Sequence, residues 1–327
     1  MERMKIEIPY YEDHSRLNNS ALGWFLERGP AFFRDSMDGK EDKLEGSFLE
    51  KGTMIHEYIL QPDEFWKDYV VLDFEVPKVK QQKDFCEAYA NSLELLEDEK
   101  KLQAYKSSYS NSKSWQIALK EASELCEKYS AYIEYCKMKD TKKVISFADV
   151  NMLKQIKKNL EEHKKANELL FNLPVTFESF NEFHINWEDT KRDIKCKSLL
   201  DRVCFDHVNK KIILIDLKTT VDAYNFKKSV ETYDYYRQIA FYSLAIQWYM
   251  ANVLNLNTDD YNFEAYIICI DKSKRNQIRV FDMSDYQTLC DKINLIKDTM
   301  QKISEHTKLN MWDHSLEYYN GDGVEKL

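Results

Sequence analysis

The chain has 327 residues, 43% hydrophobic and 31% charged, with only 7 Gly and 5 Pro, which excludes collagen-like, low-complexity and wholly disordered classes. A net charge of −9 favours solubility and excludes indiscriminate nucleic-acid binding through the whole surface. Seven scattered cysteines and a start without the apolar run of a secretory signal point to reduced thiols and a cytoplasmic location, and the most apolar long stretch, Ile239 to Met250, is too short and too polar to span a membrane.

Four regions are expected: an N-terminal helical part over 1–80, a helical insertion over 81–170, an α/β core over 171–310 and a fraying tail over 311–327. Between Pro77 and Pro174 the chain has neither Gly nor Pro, and its apolar residues recur at helical spacing. Three amphipathic helices are expected there, with breaks near 107–114 and 138–146, and Ser146 with Asp149 reads as the capping pair that starts the third. This layer carries no chemistry of its own.

The pattern changes after Pro174. Residues 175–187 and 193–206 alternate or are β-rich, and KIILIDLK (211–218) is a continuous apolar run closed by charges, as in a strand buried on both faces. DHVNK (206–210) supplies the turn between the last two. A helix is expected from Phe226 to Ala251, then strands over 262–271 and 276–283 around a KSKRN turn, and a helix over 284–306.

The chemistry concentrates on two neighbouring strands. Side chains alternate along a strand, so Asp216 and Lys218 share a face, and an adjacent strand sets Asp201 opposite them. Buried without partners these charges are costly, so they form either a structural ion pair or a ligand site. Two carboxylates suit a hard divalent cation such as Mg²⁺, and a lysine beside it suits a phosphate under attack or the attacking water. Glu178, on the preceding strand, is a third oxygen ligand or a surface residue of an edge strand. Residues 191–218 hold eight basic against four acidic side chains. They read as a solvated hairpin or as a local basic groove in which Lys197 and Arg202 meet DNA.

The order H…E…D…DLK…Q…Y resembles the PD-(D/E)XK nuclease superfamily, and within it the RecE-type, exonuclease VIII-like enzymes of phages and prophages. LNNSALGWF (17–25) with Pro30 looks like that family's N-terminal helix, and GTMIHEYILQPDEF (52–65) is similar to its G-x-x-x-H-x-x-x-L-x-P-x-x-F signature. SLLDRV (198–203) stands where the family has a G-R-x-D strand, with Ser198 or Leu199 in place of the glycine. IDLKTTVDA (215–223) and YYRQIAFY (235–242) match its D-x-K-T-T-x-D-A and Q-x-x-x-Y elements.

The resemblance implies an α/β PD-(D/E)XK core, a mixed central sheet flanked by helices, with a large helical insertion. It implies that Asp201 and Asp216 bind Mg²⁺ or Mn²⁺, that His56 lies at the metal edge, and that Lys218 serves the hydrolytic water or the phosphate. Gln238 and Tyr242, one helical turn apart, would contact the DNA backbone or position a catalytic carboxylate. The implied activity is 5′-to-3′ degradation of linear duplex ends by a homo-oligomer, leaving single strand for a RecT-type annealing protein in recombination. An endonuclease and a catalytically silent binding scaffold of the same fold are the rivals. The cysteines lack the clustering an iron–sulfur cluster needs, so none is expected.

Overall fold

A computed structural model of the chain describes residues 10–40, 47–92, 95–109, 113–273, 275–321 and 323, with the side chains of 47–50 left aside. Helices α1 (Asn19–Met37), α2 (Ser47–Leu60) and α3 (Pro62–Asp68) precede a short strand β1 (Tyr69–Val71). Helices α4 (Lys80–Asn91), α5 (Glu97–Ser108), α6 (Trp115–Lys128) and α7 (Ser130–Met138) lead to β2 (Lys143–Ile145). Next come α8 (Phe147–Glu162), α9 (Lys164–Phe171) and three strands, β3 (Phe177–Asp189), β4 (Ile194–Asp206) and β5 (Lys211–Thr220). The chain continues through α10 (Phe226–Thr232), α11 (Tyr235–Asn252), β6 (Asn262–Asp271), β7 (Ile278–Asp282), α12 (Tyr286–Leu309) and α13 (Leu316–Asn320). It divides into two compact units, one made of Met1–His56 with Ile156–Leu327 and the other of Glu57–Gln155.

The first unit is α/β. Its sheet runs β3-β4-β5-β6-β7, antiparallel except for the parallel pair β5 and β6. The apolar run Ile212–Leu217 is buried at β5, with Ile212 and Leu214 in the core that holds Phe241, Ala245 and Ile246 of α11. Ile213, Ile215 and Leu217 point the other way and are equally buried. Each such aliphatic side chain contributes roughly 1.5–3 kcal/mol by leaving water, which fixes β5 as the central strand. Arg202 pairs with Ile215 and so shares that second face, where its guanidinium donates to the Leu169 carbonyl of α9. Helices therefore flank the mixed sheet on both faces, as expected. The DHVNK turn forms around Asp206, whose Oδ1 accepts from the backbone of Val208 and Asn209, while Lys210 takes the left-handed conformation.

The second unit is helical. Phe85 and Cys86 of α4, Ala104 and Tyr105 of α5, Ala118 and Ala122 of α6, and Tyr132 and Ile133 of α7 share one core, and β1 pairs in parallel with β2. Helix α5 ends at Ser108 and α6 starts at Trp115, with 110–112 of the expected break outside the described residues; the break near 138–146 is present, and Ser146 and Asp149 form the anticipated reciprocal cap on α8. Further breaks follow Asn91 and fall at Tyr129 and His163, where α9 is capped by His163 Nδ1 accepting from Ala166.

Three expectations need correction. The units divide at 56/57 and 155/156, whereas the sequence put the helical insertion at 81–170. Ile156 and Leu160 of α8 and Leu169 of α9 are fully buried and belong with the sheet. The helix expected from 226 to 251 breaks at Asp234, which adopts φ 47, caps α11 by accepting from Arg237, and is held by Lys292 at 2.8 Å. The tail is partly ordered: α13 forms, and Trp312 stacks on Phe33 and His306. Residues 322 and 324–327 lie outside the described residues, as does Lys274 of the KSKRN turn, which ends on Asn276 at φ 46. No helix among the described residues is long and apolar enough to cross a membrane.

Candidate functional site

The site grows from two irregularities in the sheet. The β3–β4 pairing runs from Phe177↔Asp206 to Asn181↔Arg202, skips one position, and resumes from Phe183↔Leu200 to Asp189↔Ile194. Glu182 and Asp201 face each other at the skip, and Glu182 has φ 46. A left-handed non-glycine residue within a strand costs energy and resets the alternation of side chains. Phe180 and Phe183, three residues apart, accordingly pack on the same core. The second irregularity is on the other side of β4, where pairing with β5 stops at Arg202↔Ile215. Beyond that point the Leu217 N–H donates to Asp201 Oδ2 at 2.7 Å, so a carboxylate replaces the missing ladder carbonyl. This anchors Asp201 in the opening between the two strands.

Three ligand atoms converge there. His56 of α2, Glu182 of β3 and Asp201 of β4 each present one donor atom, all within 4.8 Å of one another, and His56 Nδ1 stands 3.6 Å from Asp201 Oδ2. Gly52, one turn before His56, explains how α2 comes so close. A Cβ at that position would stand 3.1 Å from Thr219 Oγ1 of β5.

Asp216 adjoins the group. Its Oδ1 accepts from Gln238 Nε2 at 3.0 Å, and Gln238 Nε2 also donates to Tyr242 Oη at 2.9 Å. Its buried Oδ2 lies 2.5 Å from Lys218 Nζ, in a charge contact that lacks hydrogen-bond geometry. Lys218 Nζ also sits 5.1 Å over the Tyr235 ring.

The ionisations are coupled. Burial pushes the Asp216 carboxyl up to about 6, with Lys218 opposing the rise and Asp201 adding to it. Burial likewise raises Asp201, and it drives the Tyr242 phenol well above its ordinary value. Burial works against the Lys218 ammonium, but Asp216 and Asp201 outweigh it and hold the group cationic. Two carboxylates, an imidazole and one buried carboxylate oxygen without a hydrogen bond make a donor set that fits a divalent cation.

No family model matches the chain, and no curated protein matches it significantly. Among solved structures, one from Eubacterium rectale described as a "Putative exonuclease" aligns over 99% of this chain and 96% of that chain, at 11% identity and a TM-score of 0.48. The structure of SSO0001 aligns over 76% of this chain and 85% of that one, at 12% identity and a TM-score of 0.26. Identities and scores this low assign neither a family nor an activity to the chain.

Of the residues singled out in the sequence, His56, Asp201, Asp216, Lys218, Gln238 and Tyr242 come together. Glu178 does not join them: it is exposed, pairs with Phe205, and lies four residues before Glu182, which takes the position expected for it. Counting pairs outward from the turn between Asp189 and Ile194 sets Glu182 opposite Asp201, so hairpin register was the available signal.

Lys197 and Arg202 serve the fold instead of an open groove. The buried Lys197 Nζ donates to the Tyr10 and Asp13 carbonyls, and Arg202 donates to Asn181 Oδ1 at 2.6 Å as well as to Leu169. Two more basic residues of the stretch are also occupied, Arg192 by Asp189 and Lys211 by Glu264, each at 2.7 Å.

Proposed function

We propose that this chain is a divalent-metal-dependent nuclease that hydrolyses DNA phosphodiesters, acting as an exonuclease on linear duplex ends. The observation that carries the reading is the convergence of His56, Glu182 and Asp201 donor atoms within 4.8 Å beside the buried Asp216 and the half-buried Lys218. His56, Glu182 and Asp201 would hold Mg²⁺ or Mn²⁺, with Asp216 completing the set. A cation bound there supplies Lewis-acid polarisation of the phosphoryl oxygen and a more acidic attacking water.

The remaining work belongs to the chain's own groups. Lys218 stays cationic because two carboxylates face it, and its ammonium offsets the negative charge that grows on phosphate during attack. Gln238 holds Asp216 Oδ1, which orients Oδ2 toward Lys218 and the ligand cluster. Tyr242 remains a neutral phenol at any physiological pH and steadies Gln238 from one turn further along α11. Polarity from 5′ to 3′, Mg²⁺ as the working ion, a homo-oligomer, and delivery of single strand to a RecT-type annealing partner follow from the RecE-type motifs.

The test is digestion of end-labelled linear duplex and relaxed circular DNA with Mg²⁺, with Mn²⁺ and with chelator. Loss of linear DNA with metal, survival of circles, and inactivity with chelator are expected. Cleaved circles would make the protein an endonuclease, and intact DNA under every metal condition would defeat the nuclease reading.

A further inference from the structure

Residues 10–17 lie against the part of β4 that β5 leaves uncovered. Leu17 N donates to the Lys195 carbonyl at 2.9 Å, and the Leu17 carbonyl accepts from Lys197 N at 2.8 Å. Lys197 Nζ then ties down the Tyr10 and Asp13 carbonyls. Asp13 is itself buried, accepts from Ser15 through both backbone and hydroxyl, and pairs with Arg16 at 3.2 Å. A buried lysine spent on two carbonyls of a short irregular segment is an expensive anchor, and what it fixes is a pair of tyrosines.

Tyr10 is boxed in. Its ring stands edge-on to His184 at 5.2 Å and 87°, and Lys197 Nζ lies 4.5 Å over its face. Tyr11 stands edge-on to Tyr10 at 5.2 Å and 88°, and it is 74% exposed. Two relations bring Tyr10, and Tyr11 beside it, near the ligand cluster. His184 follows Glu182 by two residues on β3, about 7 Å of strand. Tyr10 is also close enough to Tyr242 to perturb its ionisation, and Tyr242 bonds to the Gln238 that holds Asp216.

A neutral aromatic face, exposed to solvent and braced from behind, suits a nucleobase better than a phosphate. Every base has a π-face, so such stacking tolerates sequence. A base can reach it only when unpaired, because bases inside a duplex are stacked on each other.

We propose that Tyr11, braced by Tyr10, which itself packs on His184, is a stacking platform for an unpaired nucleobase of the strand entering the site, so that the protein prefers ends carrying a short single-stranded or frayed segment. The inference rests on the nuclease reading and names a specificity element of that site.

The test uses the full chain with Ca²⁺, which occupies oxygen sites without supporting turnover of most such reactions, and fluorescence anisotropy. The probes are duplexes ending in a four-nucleotide overhang, either with all bases present or abasic throughout the overhang. The intact overhang should bind about tenfold more tightly than the abasic one, in line with the usual worth of one stacked base. Tyr11→Ala should erase that ratio and Tyr11→Phe should keep it. Because Tyr11 is mostly exposed, the alanine variant should retain the wild-type melting temperature. A ratio near one in the wild type, or an undiminished ratio in Tyr11→Ala, overturns the platform while digestion of DNA with Mg²⁺ still stands. No binding of either probe together with no digestion overturns the nuclease reading and the platform with it.

Discussion

Burial pushes the Asp216 carboxyl up to about 6, against the pull of the Lys218 ammonium and with the help of Asp201. A carboxyl whose folded value exceeds its unfolded one binds its proton more tightly when folded. It therefore contributes stability that is complete below about 3.8 and is lost as pH rises through about 6. Asp201 is raised in the same direction. Lys218 is raised above 10.5, so its contribution is constant across this window and lost only at higher pH. Two pK units correspond to about 3 kcal/mol. Urea denaturation in chelator should show the wild type losing stability on that order between pH 4 and 7.5 relative to Asp216→Asn, which has nothing to titrate there; parallel pH profiles would refute the assignment. Adding Mg²⁺ or Mn²⁺ at pH 7.5 gives the ionised carboxylates a partner present only in the folded state. A melting temperature several degrees higher is expected in the wild type, and little change in Asp201→Asn.

Among the elements, α11 delivers Gln238 and Tyr242, and its first turn depends on Asp234. That residue is left-handed at φ 47 and caps the helix through its side chain. Replacing it removes a cap worth about 1 kcal/mol, and alanine adds a strain of similar size that glycine escapes. Chemical denaturation should therefore rank wild type above Asp234→Gly and Asp234→Ala last. The same residue shows why sequence patterns reached only part of the fold. The run Ile212–Leu217 announced β5 because a strand buried on both faces needs no polar alternation, and the turn at Asp206 announced the hairpin. Tyr233 and Asp234 include neither Gly nor Pro, so the break before α11 left no trace in composition. Glu182 was missed for a related reason. Period-two reading assumes unbroken alternation, which one left-handed residue cancels. Lys197 and Arg202 were misplaced because a count of charges does not reveal which donors the backbone has already taken. The helices of 81–170 were visible as helices, yet periodicity does not say which core each one joins, and α8 divides its residues between two.

At the scale of the whole chain, the ligand set belongs to the unit built from two separate segments. His56 ends the first segment, Glu182 and Asp201 lie in the second, and Glu57–Gln155 folds as its own unit between them. A cation shared by His56, Glu182 and Asp201 ties the ends of a long intervening stretch, the arrangement in which a clip restrains the unfolded chain most. The direct effect on local opening should nonetheless fall where the ligands are, because a ligand slows exchange of amides whose opening disrupts its site. Hydrogen exchange with and without Mn²⁺ should show added protection in β3, β4 and β5 and in the His56 turn of α2. The amides of α5, α6 and α7 should exchange at unchanged rates except where they open only by global unfolding. Protection gained mainly in those helices would place the ion somewhere other than the opening between β4 and β5.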